Sequence, residues 1–226
     1  MKILVIAPHA DDEILGVGGT IKRYLDEGHS VHIAIMTGVG EKDSAHPLYT
    51  KEDETLIRNE ARRAHDFLGS TLSFSNIPSV LITEYPKWRL NKEANKILEA
   101  YAPDILFVPF LNDMHNDHRL IYHAFSVAWR PITEYGKNIK EIYCYETLSE
   151  THWNTPGLES NFNPNVWIDI TSSLEHKLKA FSFYESQIKN TPHPRSIEGI
   201  RNLAYFRAGQ VLMNAAEAFV LIRKIT

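Results

Sequence analysis

The chain has one cysteine, no long basic run, and no apolar stretch near the ~20 residues that a membrane-spanning helix needs. Each absence excludes a class of protein. The single Cys144 cannot form an internal disulfide, so a disulfide scaffold and a cysteine-rich zinc site are both out. Its setting, Ile142-Tyr143-Cys144-Tyr145, reads as that of a buried structural thiol. With 24 Lys+Arg against 28 Asp+Glu the net charge is −4, and there is none of the basic striping that marks a nucleic-acid partner. The opening run Met1-Lys2-Ile3-Leu4-Val5-Ile6 is too short for a secretory signal core. The expectation is a soluble, cytoplasmic protein with no membrane partner. What is present is enough apolar material for a sizeable core, 43% of 226 residues, consistent with one domain over 1–226. Eleven histidines stand beside that lone cysteine.

Short β-rich runs alternate with longer helical patterns, the signature of βαβ units. Strands are expected at Lys2–Ala7, Val31–Thr37, Ile105–Phe110 and Glu141–Glu146, with weaker ones at Thr71–Ser75 and Val166–Ile170. Helices are expected near Gly16–Glu27, Lys51–Leu68, Asn91–Tyr101, Asp117–Trp129, Leu174–Glu185 and Ser196–Asn214. Near-continuous apolar strands such as Ile3-Leu4-Val5-Ile6 suit a sheet covered on both faces. The fold class is therefore α/β, a Rossmann-like, mainly parallel sheet with helices on both faces. Loops are expected at Gly38–Tyr49, Pro131–Lys140 and Ser149–Asn165, and loops of that length tend to carry function.

Two histidine-acid clusters follow strands directly. The first is Pro8-His9-Ala10-Asp11-Asp12-Glu13; the second is Asn112-Asp113-Met114-His115-Asn116-Asp117-His118. In an open α/β sheet both lie beyond the carboxyl ends of parallel strands, where such folds bind ligands. Imidazole and carboxylate together suit a divalent metal such as zinc, and a catalytic site needs only three protein ligands and an open position. Three of His9, Asp12, His115 and His118 can bind one ion while the fourth stays beside it. Of the adjacent acids, one would sit on the metal and the other would act as general base toward a water. The plain structural reading is that the acids cap helices. Capping, however, requires no histidine, and here histidines occur in both clusters. The following Gly16-Val17-Gly18-Gly19 lacks the full dinucleotide-binding spacing and follows three acids that would repel a pyrophosphate. Those glycines are read as letting a helix approach the sheet.

These residues resemble the PIG-L/LmbE-like family of N-acetylglucosaminyl deacetylases, over nearly the whole chain. Pro8-His9-Ala10-Asp11-Asp12-Glu13 is similar to the family's (P)H-P-D-D-E, and His115-Asn116-Asp117-His118 to its H-x-D-H. The resemblance implies that His9, Asp12 and His118 bind Zn2+, that Asp11 is the general base, and that His115 stabilises the transition state. Less specific matches are Arg58-Asn59-Glu60, which makes Arg58 a substrate contact, and Lys177…Tyr184-Glu185-Ser186-Gln187. Pro192-His193-Pro194-Arg195-Ser196 and Ala216-Glu217-Ala218-Phe219 resemble the closing part of bacterial members. Ala10 departs from the usual proline, which would have restricted His9 to an extended backbone.

The implied activity is hydrolysis of the acetamide of an N-acetylated amino sugar in a small molecule, with His115 or Arg58 as donor to the oxyanion and His115 or Asp11 returning a proton to the amine. Family members are commonly oligomers, so a homo-oligomer is expected. Asp113 and Asp117 are candidate acceptors for the ligand imidazoles. His46, His152 and His193 lie in expected loops, with His193 favoured for substrate, and Trp153 is the candidate sugar platform. His29, His32, His65, His123 and His176 are read as surface or packing residues, and Arg62 and Arg63 as a solvated face with Glu60 and Asp66. Competing readings are a metal-dependent hydrolase of another acylated amine or of a phosphoester, and a non-catalytic sugar-binding protein.

Overall fold

A computed structural model describes residues 1–40, 49–155 and 157–226. His46 and most of the expected loop from Gly38 to Tyr49 lie outside the described residues. The strands are β1 (Lys2–Ala7), β2 (Ser30–Gly38), β3 (Thr71–Pro78), β4 (Ile105–Pro109), β5 (Glu141–Tyr145), β6 (Val166–Asp169) and β7 (Ala216–Lys224). They form a seven-stranded sheet in the order β3-β2-β1-β4-β5-β7-β6. The strands from β1 to β5 pair in parallel, and β7 runs antiparallel to both of its neighbours. The mainly parallel α/β architecture is as expected.

Alternation along β1 builds the two layers. Ile3 and Val5 join one core, with residues of α1 (Asp12–Asp26), α2 (Lys51–Leu68), α7 (Leu174–Phe181) and α8 (Ile197–Gly209). Leu4 and Ile6 join the opposite core, with residues of α3 (Lys87–Tyr101) and α4 (Asn116–Ala128). All four β1 side chains are fully buried. Burying each contributes ~1.5–3 kcal/mol relative to exposure, which is why this strand carries no polar face. Local signals bound the helices where they exist. Thr50 and Asp53 form a capping box at the start of α2, and Gly69 ends it at φ 90.

The sequence reading missed β7. The last helix, expected to reach Asn214, stops at Gly209, and Ala216–Lys224 pairs between β5 and β6. Its first four residues are buried on both faces, so no period of two marks them as strand. Two expected loops also contain short helices, α5 (Glu134–Asn138) and α6 (Leu148–Thr151), and α7 ends at Phe181 rather than Glu185. Glu60 is buried and accepts from the Ser186 backbone N–H (2.9 Å) and hydroxyl (2.6 Å), so it does not belong to a solvated face with Arg62 and Arg63.

Two devices seat α1 on the sheet. A Cβ on Gly16 would lie 2.2 Å from the Tyr145 ring, and one on Gly19 2.8 Å from Ile170, so these glycines permit the close approach. From β7, Glu217 accepts from the backbone N–H groups of Gly19 (2.9 Å) and Thr20 (2.8 Å) and from Lys177 Nζ (2.6 Å). Lys177 also donates to the Leu15 carbonyl at 2.8 Å. Both side chains of this pair are buried.

The chain leaves β1 toward β2 and β3 and returns on the other side of β1 as β4. The crevice between the loops after β1 and β4 is therefore a topological switch point.

Candidate metal centre and active site

Both histidine-acid clusters open onto that crevice. The turn after β1 carries His9 and Asp11 and delivers Asp12 and Glu13 as the first residues of α1. Asp11 takes φ 125, a conformation L-residues rarely adopt, and its side chain caps nothing. The loop after β4 delivers Asp113 and His115 and starts α4, whose first turn holds Asp117 and His118.

The rings of His9, His115 and His118 lie with centroids 4.6, 5.4 and 5.7 Å apart. Asp12 Oδ2 accepts from the His9 backbone N–H at 2.8 Å and lies 3.2 Å from His118 Nε2 and 3.4 Å from His9 Nδ1. The outer edges of the imidazoles are held by further carboxylates. His118 Nδ1 meets Asp113 at 2.8 Å, and Asp113 in turn accepts from Thr151 at 2.6 Å. His9 Nε2 meets Asp117 at 2.9 Å, and Asp117 also accepts from the Val80 backbone N–H at 2.8 Å. Asp113 and Asp117 thus hold the imidazoles as expected. The helix-cap alternative for Asp117 fails, because the group that accepts from the backbone there is His115 Nδ1, at 3.1 Å from the Asp117 N–H.

Among the described residues, ligand atoms of His9, Asp12 and His118 lie within 4.8 Å of one another, as do those of His9, His115 and Asp117. The first set fits a divalent ion better. Its Asp12 Oδ1 and His118 Nε2 are buried with no hydrogen-bond partner, whereas Asp117 is already engaged by His9 and Val80. Buried polar atoms without partners are costly, and a cation is the group that a carboxylate oxygen and an imidazole nitrogen would share.

The electrostatics agree. Burial pulls the His9 pKa down, but hydrogen bonds with Asp117 and Asp12 raise it further, to about 9. Burial likewise opposes, and Asp12 and Asp113 override it, in raising His118 well above the ordinary histidine range. Burial would raise Asp12, yet His118 and His9 hold it well below the usual carboxylate value. A divalent ion binding there would displace the protons of these two cationic imidazoles, leaving the neutral rings and the carboxylate as its ligands. Asp11 differs from its neighbour: burial pushes it up to about 7 against the lowering pull of Arg195. Burial, with cationic His9 beside it, lowers His115 to about 4, so that ring is neutral. Because Nδ1 accepts from the backbone, the proton of His115 is on Nε2.

Arg58 shares a cavity of about 260 Å³ with His9, Ala10, Thr37, Tyr49 and Phe74. Its guanidinium pairs with Glu54 at 2.7 Å, donates to the Ser75 carbonyl at 3.0 Å and lies over the Phe74 ring. His193 and Trp153 do not line that cavity; their rings meet edge-on at 5.7 Å, with Trp153 more than half exposed. His152 is held by Glu146, which Arg207 also pairs, and His32 bonds Thr71 and Ser73 at the amino end of the sheet.

Sequence reasoning missed two sets of groups. Glu13 is buried and accepts from the Tyr184 hydroxyl (2.5 Å), the Asp11 backbone N–H (3.1 Å) and His65 Nε2 (3.1 Å). His65 is therefore a packing residue that supports the site from below. Arg195 pairs with Asp11 at 3.2 Å and with Glu150 at 3.5 Å. Tyr184 and Arg195 stood inside stretches already noted for their resemblance; nothing in local spacing singled out Glu150.

No helix among the described residues is long and apolar enough to cross a membrane. Residues 4–129 match the model of the PIG-L family, described as GlcNAc-PI de-N-acetylase. The diacetylchitobiose deacetylase of Thermococcus kodakarensis is 30% identical over 200 residues, covering 82% of this chain and 70% of that protein. The solved N,N′-diacetylchitobiose deacetylase of Pyrococcus horikoshii, bound to its inhibitor, superposes with a TM-score of 0.74 at 25% identity, covering 98% of this chain and 83% of that one. The 4-carboxy-2-hydroxymuconate hydratase of Pseudomonas putida superposes with a TM-score of 0.76 at 19% identity, covering 100% and 97%. That last likeness is one of fold alone.

Proposed function

Since the chain belongs to the PIG-L family of de-N-acetylases, we propose that it is a zinc-dependent hydrolase that removes the acetyl group from an N-acetylglucosamine-type moiety of a small molecule. The observation that carries this reading is the divergence of two adjacent acids. Asp12 faces His9 and His118, whereas Asp11 turns away toward Arg195 and is raised toward neutrality by burial. One acid is suited to a cation and the other to moving a proton near pH 7.

His9, Asp12 and His118 would hold the ion. Bound there, it supplies Lewis acidity to the scissile carbonyl and to water. The remaining steps belong to side chains. Asp11 takes a proton from the water as its oxygen attacks the acetyl carbon. His115, neutral and carrying its proton on Nε2, donates to the oxygen on which negative charge develops. On collapse the C–N bond breaks, the proton held by Asp11 passes to the amine, and acetate and the free amino sugar leave. Arg58, on the wall of the cavity that His9 shares, would orient the sugar.

The test is acetate release from N-acetylglucosamine and N,N′-diacetylchitobiose by zinc-loaded protein, with metal content measured in parallel. Asp11→Asn is expected to retain zinc and lose about 10²–10⁴-fold in rate, the usual contribution of a general base. Asp12→Ala and His118→Ala are expected to lose zinc. Full activity in Asp11→Asn, or no acetate from either sugar, overturns the proposal.

A further inference from the structure

Three consecutive carboxylates, Asp11, Asp12 and Glu13, are buried where β1 meets α1. Such a run repels itself, and each member is met differently. Asp12 has His9 and His118. Glu13 has Tyr184, His65 and the Asp11 backbone N–H. The Asp11 carboxylate has Arg195, whose Nη1 lies 3.2 Å from an Oδ2 that carries no hydrogen bond.

That guanidinium is itself held on its other edges. Its Nε donates to Ser149 Oγ at 2.9 Å, Nη1 to Gln187 Oε1 at 3.4 Å, and Nη2 faces Glu150 Oε1 at 3.5 Å. The Arg195 backbone N–H donates to His193 Nδ1 at 3.0 Å. Ser149 and Glu150 sit on α6, just past β5, and are buried. With its fork turned to these protein groups, Arg195 has little donor capacity left for a substrate. A planar guanidinium fixes the direction of what it binds, which a flexible ammonium does not.

We propose that Arg195 is a positioning residue for Asp11, and that Ser149 and Glu150 hold Arg195 in register. The backbone of Asp11 is anchored by Glu13, and Arg195 fixes the remaining freedom, the direction of the carboxylate. The inference rests on Asp11 being the base. It makes the late loop before α8 part of the catalytic arrangement through Arg195 and Asp11.

The experiment is steady-state acetate release from N,N′-diacetylchitobiose by zinc-loaded Arg195→Ala, Arg195→Lys and Glu150→Gln, with Asp11→Asn alongside. A misdirected catalytic group costs on the order of 100-fold, so Arg195→Ala is expected to lose about that much in kcat, with KM and zinc content at the wild-type level. Guanidinium chloride below denaturing concentration should restore part of its rate. Arg195→Lys should recover less than the native residue, and Glu150→Gln should lose kcat alone, by about tenfold. Should Arg195→Ala not fold, the kcat-against-KM split in the Lys and Gln variants carries the test. Wild-type kcat in the Arg195 variants, a loss confined to KM, or a folded Arg195→Ala that guanidinium does not restore overturns the inference. An active Asp11→Asn fails the underlying reading instead, whereas an inactive one beside unaffected Arg195 variants fails this inference alone.

Discussion

The buried pair Lys177–Glu217 offers a quantitative test of how the site's platform is held. Lys177→Met keeps the aliphatic length of the side chain and deletes Nζ, which donates to Glu217 at 2.6 Å and to the Leu15 carbonyl at 2.8 Å. Glu217 would then be a buried carboxylate with two remaining donors, the Gly19 and Thr20 N–H groups. Removing one partner of a buried ion pair typically costs ~3–5 kcal/mol because it strands the other charge. The two backbone donors soften that here, so we expect about 3 kcal/mol. For a chain of this size ~1 kcal/mol moves the melting temperature by roughly 2–4 °C, giving a fall of about 6–12 °C. Urea unfolding followed by circular dichroism and tryptophan fluorescence measures the loss, and Lys177→Met/Glu217→Gln closes a double-mutant cycle. The double variant strands no charge and should be more stable than the sum of the single losses. A Lys177→Met loss below about 1 kcal/mol, or strict additivity in the cycle, would refute the claim that this pair clamps β7 and α7 to α1.

Gly16→Ala places a methyl 2.2 Å from the Tyr145 ring and 2.9 Å from the Glu146 carbonyl. Tyr145 is fully buried with its hydroxyl bonded to the Ile6 carbonyl, so overpacking of ~1–3 kcal/mol should outweigh the ~1 kcal/mol helix-propensity gain of alanine, and a higher melting temperature would contradict this. Cys144 is buried and its thiol is pushed up in pKa by that burial; native protein should therefore react with a thiol-titrating disulfide reagent only at its unfolding rate, and rapid native labelling would show the packing to be wrong.

The sequence carried the parallel sheet and the convergence of the two clusters because both depend on local order. Apolar runs such as Ile3–Ile6 identify strands, and a residue just after a parallel strand is bound to lie at its carboxyl end. The same reasoning gathered His9, Asp12, His115 and His118 as four candidates for three ligand places, with the carboxylates Asp113 and Asp117 behind them; the choice of His9, Asp12 and His118 among the four is what the family resemblance implies. It could not reach partners separated by most of the chain. Tyr184 meets Glu13 and Arg195 meets Asp11 only because α7 and the loop before α8 fold back over α1. Glu150 follows β5 on a four-residue helix that has no periodicity to read. β7 escaped for the opposite reason: burial on both faces erased the alternation that would have announced it. Glu60 was misread because a carboxylate in a charged helix looks solvated until Ser186 packs over it.

The backbone of Asp11 sets stability against function at a single position. At φ 125 glycine is the residue that would sit without strain, and a side chain there costs ~1–3 kcal/mol. Selection for thermal endurance alone would favour glycine at position 11 and in the same stroke remove the proposed proton carrier. On that proposal the most relaxed backbone belongs to a catalytically silent chain, and any lineage that keeps the aspartate does so against a standing conformational incentive to lose it.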